Sequence, residues 1–462
     1  MKRAKDITLV TLILISVLLF SRVWFGTNFI GEIKKNIMFA KAAYESETKS
    51  FTIESIITPE NIIVTGGGKR RVVSKGQSGY DELFERMKSA AEKIGLNPDR
   101  FAEAESDDWS ASLKSRSILF DFAAAYDSGL LEKAGISLPD GAYKNIVFVP
   151  SDSIAVNSMV YIKNHGNGKV YKFIADSGND ELDAVINKYA VSADAMNSPF
   201  SFELGFDKAR TNTGISQNVL LDSNIVIGLT EKNVNNAVLH TGSGYFTQRT
   251  VDRLLETFKF NPNTTRRYID KDDVTVFVDN TATLKIYPSY LIEYTSESGG
   301  YSFPASGLSG KETAAAYVNG IYGTVREVFK NVGISGMQML AASDINSETA
   351  KSDITINFDY YINGMPVFAN GENGAEHGIT AVLSGGTLKS YRQYLFTAEL
   401  AEESENIGSM INALDTLYAK FKNEKEVRLS DVFTAYEADK GSDLLRPVWC
   451  AKTEKEIVII SD

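Results

Sequence analysis

The sequence feature that most constrains this chain of 462 residues is an uncharged apolar run close to its start. The run, Ile7–Ser21, is rich in Leu, Ile and Val and follows three basic residues. A helix needs about 20 residues to span a bilayer. Arg22 can extend its guanidinium group to the headgroups and Trp24 suits the interface, so the span can continue past the run. The sequence therefore predicts a transmembrane helix over residues 7–26, after a cytoplasmic tail at residues 1–6.

The alternative to an anchor is a cleaved signal peptide, because the apolar run is short and follows basic residues. The nearest small-x-small pattern, Ala40-Lys41-Ala42, lies about 20 residues beyond the run, whereas signal cleavage occurs within a few residues of it. We therefore favour an uncleaved anchor. The positive-inside bias then places the N-terminus in the cytoplasm, and the bulk of this single-pass chain lies outside the cell membrane.

The composition indicates a mostly folded protein and argues against several functions. Hydrophobic residues make up 43% and charged residues 23%, as in globular chains. The net charge of -11 has the wrong sign for non-specific electrostatic attraction to nucleic-acid phosphates. The single cysteine, Cys450, excludes an internal disulfide and, with three scattered histidines, argues against a zinc site. An exported body with one cysteine suits a Gram-positive surface.

The rest of the chain alternates between strand and helix patterns. Their order predicts an α+β fold with antiparallel sheets packed by helices. Ten of the sixteen residues from Thr295 to Gly310 are Gly, Ser or Pro, which predicts a linker. The predicted divisions are a juxtamembrane stalk at 27–50, extracytoplasmic domain 1 at 51–195, domain 2 at 196–298, the linker at 299–310 and domain 3 at 311–462.

Five local patterns predict particular elements. Apolar residues at helical spacing predict helices near residues 80–95, 113–131 and 407–421. The apolar residues of Asn224–Ile227 predict a strand, and Asn363-Gly364 predicts a tight hairpin turn.

Two kinds of segment could carry catalytic or phosphate chemistry, and for both a structural role is favoured. Thr65–Arg71 has three glycines before Lys69 but lacks the full phosphate-loop pattern, so a hairpin turn is favoured. The histidines His165, His240 and His377 are predicted loop residues, and no nucleophile elbow or metal-ligating spacing accompanies them.

Two further features also have favoured structural roles. The acidic clusters at 176–183 and 270–273 do not match a calcium-binding loop, and solvated turns are favoured. Cys450 stands in an apolar strand and is predicted to pack as a small hydrophobe. We therefore predict no catalytic, cofactor-binding or metal-binding residues.

A series of motifs follows the predicted anchor and extends over nearly the whole chain. The motifs are Ile56–Val64, Phe258–Pro262, Arg266-Arg267, Thr283–Ile286, Ile292–Tyr294, Ile362–Phe368, Leu388–Tyr394, the helix Ile407–Phe421 and Arg446–Trp449. Together they resemble the YycH family, the single-pass accessory proteins of the WalK/WalR cell-wall two-component system in Firmicutes. The motifs after residue 310 are also similar to the related YycI proteins.

The resemblance implies a three-domain extracytoplasmic body, with domains 2 and 3 of related fold, and no enzyme activity. It also implies that the anchor helix contacts the membrane helices of a WalK-like sensor histidine kinase in the lipid bilayer. A YycI-like accessory protein takes part in the same association. The candidate contact residues are Thr8, Leu12, Ile15, Ser16, Leu19, Arg22 and Trp24. The predicted function is regulation of that kinase. The alternative is a membrane-tethered binding protein or enzyme acting on cell-envelope polymers.

Overall fold

The structure, a computed structural model, describes most of the chain after residue 52. The described residues are 53–150, 158–175, 180–190, 192, 195–208, 218–240, 245–261, 263–297, 300–303, 310–334, 338–341, 353–371, 374–438, 443–453 and 456–460. The predicted tail, anchor and stalk lie outside them. Among the described residues, no helix is both long enough and apolar enough to cross a membrane.

The first seven strands form one antiparallel sheet. They are β1 (Pro59–Gly66), β2 (Lys69–Ser74), β3 (Ala102–Ala104), β4 (Ser117–Asp127), β5 (Ala142–Val149), β6 (Met159–Asn164) and β7 (Val170–Ile174). Their order is β2-β1-β4-β5-β6-β7-β3, and we call this the first sheet.

The remaining described strands form a second sheet of sixteen strands. They are β8 (Val219–Leu221), β9 (Asn233–His240), β10 (Arg266–Ile269), β11 (Thr275–Val278), β12 (Ala282–Ile286), β13 (Leu291–Ser296), β14 (Gln338–Ala341), β15 (Asp353–Ile362), β16 (Met365–Gly371), β17 (Gly374–Glu376), β18 (Ile379–Ser384), β19 (Thr387–Tyr394), β20 (Thr397–Asn406), β21 (Val427–Ala438), β22 (Leu444–Thr453) and β23 (Ile457–Ile460). The main order is β10-β11-β12-β13-β19-β18-β15-β16-β21-β22-β9-β20. Strand β21 is parallel to β16 and to β8, and the other pairs are antiparallel.

The helices that cover these sheets vary from one turn to six. They are α1 (Tyr80–Ile94), α2 (Ser106–Lys114), α3 (Ser128–Lys133), α4 (Asp180–Ala190), α5 (Ser201–Leu204), α6 (Gln248–Thr257), α7 (Gly310–Val332) and α8 (Met410–Lys420). Short 3-10 turns occur at Ile53–Ser55, Pro98–Arg100 and Lys271–Asp273.

Helices cover both faces of the first sheet. On β1, Gly66 and Ile63 point to opposite faces because side chains alternate along a strand. Gly66 faces α4, where an added Cβ would lie 2.7 Å from the Ala190 Cβ atom. Ile63 instead packs with Trp109 and Leu113 of α2. All eleven residues of β4 are buried, so this strand lies in the interior of the first sheet and is covered on both faces.

Helices α6 to α8 cover the second sheet. Phe329 of α7 packs on Tyr360 of β15 with ring centroids 5.8 Å apart. Phe258, just after α6, stacks on Tyr294 of β13 at 5.1 Å. Helix α8 packs its buried residues against β8, β21, β22 and β23. The Ser409 side chain caps α8 by accepting a hydrogen bond from the Asn412 backbone N–H at 3.3 Å.

Two of the predicted elements are wrong. The predicted helix at 113–131 is instead the end of α2, strand β4 and the start of α3. Because β4 is buried on both faces, its apolar residues run continuously, and such a run cannot be told from a buried helix by periodicity. Asn224–Ile227 is not a strand, although Val226 forms an isolated bridge to Phe200.

The other predicted elements are confirmed. Helix α1 occupies 80–94 and ends at Gly95, which has a left-handed backbone, and α8 lies within 407–421. Asn363 and Gly364 join β15 to β16 with φ values of 48° and 81°. This is the geometry that an Asn-Gly turn supplies.

Replacing Gly364 by Ala is expected to destabilise the protein more than replacing Gly385 by Ala. Both glycines have a positive φ, which costs other residues about 1–2 kcal/mol. A Cβ at Gly364 would also lie 2.8 Å from Ser74 Cβ and 2.9 Å from Lys75 O, whereas Gly385 has no such neighbour within 4 Å among the described atoms. Urea unfolding followed by circular dichroism should rank G364A below G385A. Equal losses would contradict a tight contact between this turn and the first sheet.

Candidate functional site

The glycine-rich segment forms the predicted hairpin turn. Gly66 pairs with Lys69 across the β1–β2 ladder, and Gly67 and Gly68 have φ values of 60° and 77°. The glycines therefore close a turn rather than open a helix.

The three histidines lie in different parts of the fold. His165 is in the turn between β6 and β7, as predicted. His240 is not in a loop but ends strand β9, with Nε2 3.8 Å from Glu399 Oε2. His377, between β17 and β18, places Nδ1 2.7 Å from Oδ1 of the buried Asp359.

The acidic clusters serve local structure where they are described. Asp270 accepts a hydrogen bond from the Lys271 backbone N–H at 2.8 Å and starts a 3-10 turn. Asp183 on α4 pairs with Arg116. Within the described ranges, no group of three or more His, Cys, Asp or Glu side chains is placed to hold a metal ion.

Cys450 is fully buried on β22 and packs with Phe368, Ala435 and Ile457. Burial raises the pKa of its thiol, so the reactive thiolate is disfavoured. This placement agrees with the predicted role as a small hydrophobe.

The candidate contact residues on the anchor are not among the described residues. Thr8, Leu12, Ile15, Ser16, Leu19, Arg22 and Trp24 all precede residue 53. Their role stays a prediction.

A group of ionisable side chains lies where the two sheets meet, and the sequence did not predict it. We call this group the junction cluster. It consists of Glu60 on β1, Asp121 on β4, Lys144 on β5, Tyr361 on β15 and Asp431 on β21. The first four are buried, with relative exposures of 7%, 7%, 6% and 5%. Three come from the first sheet and two from the second, so the cluster joins the sheets.

The Lys144 ammonium group lies at the centre of the junction cluster. Its Nζ atom is 3.7 Å from Asp121 Oδ1 and 3.4 Å from Asp431 Oδ2, and it also donates to the Ser430 carbonyl oxygen at 3.4 Å. Asp121 in addition accepts a hydrogen bond from the Asn145 side chain at 2.6 Å. Lys144 therefore contacts carboxylates from both sheets.

Glu60 has a different partner. The Tyr361 hydroxyl donates to its Oε1 atom at 2.9 Å across the boundary between the sheets. A protonated Glu60 carboxyl can accept this bond without adding a charge to the interior.

Three strand irregularities place residues at the junction cluster. In the β1–β4 ladder, Pro59 pairs with Phe122 and Asn61 with Asp121, which leaves Glu60 as the extra residue. In the same way, Lys144 is extra in the β5–β6 ladder and Ser430 in the β21–β22 ladder. A β-bulge redirects side chains and is common next to functional sites. The bulges therefore give the cluster its geometry.

The environment of the junction cluster shifts its protonation. Burial raises the pKa of the Glu60 carboxyl from 4.5 to about 8, and the charges of Asp431 and Asp121 add to this rise. Burial also raises the pKa of Asp121 to about 6, against the attraction of Lys144. Burial lowers the pKa of Lys144, but the two aspartates outweigh this and the net shift is upward. At neutral pH, Glu60 is thus mostly neutral and Lys144 is charged.

A weak signal for the junction cluster was present in the sequence. Asp121 and Asp359 each stand between two aromatic residues of an apolar strand segment, whereas Glu60, Lys144 and Asp431 each have a polar neighbour in the sequence. A charged residue within such a run marks a buried, partnered group, because an isolated charge is costly to bury. The pairing across the two sheets depends on tertiary structure and could not be inferred from single strands.

A second polar network occupies the second sheet. Arg392 on β19 pairs with Glu293 of β13 at 3.0 Å and with Glu376 of β17 at 3.1 Å. The Tyr394 hydroxyl donates to Glu376 at 2.7 Å, and Tyr287 donates to Glu293. These groups pair with one another and link strands of the sheet, so the network is a weaker candidate site.

The Glu60→Gln variant is expected to gain stability relative to the wild type as the pH rises. Because the folded pKa of Glu60 lies above its unfolded value, its contribution to stability is complete below about 4.5 and is lost as the pH rises to about 8. The difference in unfolding free energy between E60Q and wild type should grow by about 1.4 kcal/mol per pH unit in this window. Urea titrations at several pH values measure it. Glu92→Gln, at an exposed residue of α1, is the control. If the unfolding free energy of E60Q changed with pH in the same way as that of the wild type, the raised pKa of Glu60 would be contradicted.

Replacing Lys144 by Met is expected to destabilise the protein by about 3–5 kcal/mol, because it leaves buried carboxylates without their cation. Lys169→Met is the matched control, since Lys169 pairs with Glu103 at 2.9 Å while both side chains are well exposed. That variant should unfold like the wild type in urea. Similar behaviour of the two variants would show that the Lys144 contacts do not stabilise the fold.

The comparisons with known proteins bear on the fold. No protein-family model and no curated protein matches the sequence. YycH from Bacillus subtilis, at 10% sequence identity, matches with a TM-score of 0.57 over 89% of this chain and 98% of that chain. An uncharacterized protein from Eubacterium rectale, also 10% identical, gives a TM-score of 0.29 over 53% of this chain and 87% of that chain, which is too low to indicate a shared fold. This chain therefore has the fold of YycH, which confirms at the level of fold the resemblance predicted from the sequence.

Proposed function

We propose that this chain is a non-enzymatic, membrane-anchored regulator of a WalK-like sensor histidine kinase, acting with a YycI-like accessory protein. The observation that carries the proposal is the fold shared with YycH over 98% of that chain. The sequence supports the proposal further, because the apolar run near its start is followed by the family motifs along the rest of the chain. The regulator has its N-terminus in the cytoplasm and its body outside the cell membrane.

The body is proposed to contain three extracytoplasmic domains, the last two of related fold. In support, the residues of domain 2 contain helix α6 followed by the antiparallel strands β10 to β13. The residues of domain 3 likewise contain helix α7 followed by antiparallel pairs among β14, β15, β18 and β19. Strands β13 and β19 pair with each other, so the two domains share one sheet.

The anchor is proposed to contact the kinase through one side of its helix. At about 100° per residue, five of the seven candidate residues fall within an arc of about 80°. They are Thr8, Leu12, Ile15, Leu19 and Arg22. Ser16 lies about 40° beyond this arc. Trp24 falls on the opposite side with Val10 and Val17, and we assign it to the membrane interface rather than to the contact side.

Exchange of residues 1–26 for an unrelated transmembrane helix is expected to abolish co-purification of the WalK-like kinase from membranes. The full-length chain should bring the kinase with it, because the contact lies in the anchor. Equal recovery with both proteins would move the contact to the outer domains. Recovery with neither would contradict the proposal and favour a tethered envelope-binding protein or enzyme.

Tryptophan substitutions on the two sides of the anchor refine this test. Leu12→Trp and Ile15→Trp should reduce kinase recovery, because a bulky ring prevents close approach of two helices. Val10→Trp and Val17→Trp are the matched controls and should leave recovery unchanged. Equal effects on both sides would contradict a defined contact side.

A further inference from the structure

We propose that the junction cluster is a proton-operated latch between the two sheets, in which a protonated Glu60 keeps the sheets docked and loss of its proton at alkaline pH loosens them. Such a latch would act whatever the function of the chain, because it concerns how one part of the fold is held against another. The structural basis of the latch is that Glu60, Lys144 and Ser430 lie at three separate β-bulges that meet at one boundary. A regular ladder would not place them together.

The charge balance of the junction cluster gives the latch its direction. Lys144 supplies one positive charge, and both of its carboxylate partners, Asp121 and Asp431, are within 3.7 Å. With these two ionised, the cluster already carries one excess negative charge. Ionisation of Glu60 adds a second negative charge at a buried position. Like charges at short range repel strongly in such an interior.

The Glu60 side chain also holds the two sheets together directly. Tyr361 on β15 donates its hydroxyl to Glu60, and the same ring packs with Ala123 of β4 and Leu340 of β14. Because this bond lowers the pKa of Glu60, ionisation does not break it. The loosening comes instead from repulsion between the ionised Glu60 on the first sheet and Asp431 on the second.

Other ionisable groups face the junction cluster from each neighbouring element. Asp222, just after β8, raises the pKa of Lys144 and of Asp121, so it adds to the negative field. Asp359 on β15 acts on Tyr361 in the same sense, while its own carboxylate lies 2.7 Å from His377. Tyr126 on β4 and Tyr80 on α1 are also close enough to interact.

Two lysines near the boundary are directed to other acceptors. Lys75 donates from Nζ to Thr58 Oγ1 at 2.9 Å. Lys452 on β22 donates to the Ala123 carbonyl oxygen at 3.2 Å. Lys144 is therefore the cation that balances the carboxylates directly in the described part of the boundary.

Neutral contacts hold the same boundary and limit how far it can open. The Tyr126 hydroxyl donates to the Ala341 carbonyl oxygen, and the Ala341 N–H donates to Ile56 O at 3.1 Å. Ser55 and Tyr322 bond through their hydroxyl groups at 3.3 Å. Among these contacts, the junction cluster is the part whose charge changes between neutral and alkaline pH.

The test measures the distance between the sheets in the full-length chain, held in lipid nanodiscs. Lys69→Cys on β2 and Lys425→Cys before β21 place spin labels at two exposed positions, while the native Cys450 is buried. Pulsed electron paramagnetic resonance then gives the distance distribution from about pH 6 to pH 10. We expect one narrow distribution at neutral pH and a broader, longer one above about pH 8. The ratio of the loose to the docked form should rise by up to tenfold per pH unit below about pH 8 and level off above it, where Glu60 is ionised in both forms.

Variants assign the effect to Glu60. E60Q should keep the narrow distribution at every pH, and Glu92→Gln should respond like the wild type. Tyr361→Phe should raise the pH at which the response levels off, because the lost hydrogen bond is one that lowers the pKa of Glu60. If E60Q does not fold, the Tyr361→Phe shift alone decides, since it changes one hydroxyl group.

Three results would overturn the latch. One is a wild-type distribution that stays the same over the whole pH range. Another is a pH response in E60Q, or in Tyr361→Phe, that equals the wild-type response. The third is loss of circular dichroism together with the broadening, because that would be general unfolding rather than loosening of one boundary.

Discussion

The attraction between the Lys144 ammonium group and two carboxylates from different sheets is the charged interaction that joins the two sheets. Lys144 belongs to the first sheet, and its partner Asp431 to the second. Removing water from such groups is costly, and only close pairing offsets the cost. The same low-polarity surroundings favour the neutral form of Glu60. One buried site thus combines a fixed charge pair with a carboxyl group that can gain or lose a proton.

The regular and irregular parts of the strands have different roles. Packing on both faces buries every residue of β4, and α7 and α8 cover the second sheet. The bulges at Glu60, Lys144 and Ser430 interrupt regular strand pairing at one boundary. A bulge weakens a ladder locally, so its presence in three strands at one place indicates that the side-chain arrangement there offsets the loss.

Local patterns were enough to predict much of the fold, and each failure has a physical cause. The Asn363-Gly364 turn and the helices at 80–94 and 410–420 follow from turn chemistry and helical periodicity. The error at β4 arose because a strand buried on both faces has no alternation. The junction cluster was missed because Glu60 and Tyr361, 301 positions apart, meet only through the arrangement of two sheets. The anchor residues were inferred from sequence, and their contacts stay a prediction.

The protonation of Glu60 underlies the account of how the two sheets are held together in a protein with the YycH fold. It can be measured directly by pH-dependent difference infrared spectroscopy of the carboxyl stretch, with wild type and E60Q compared so that the Glu60 band is identified. We expect this band to titrate with a pKa near 8, because burial and the neighbouring aspartates raise the pKa of Glu60. A band that titrates near the ordinary glutamate value of about 4.3 would contradict it.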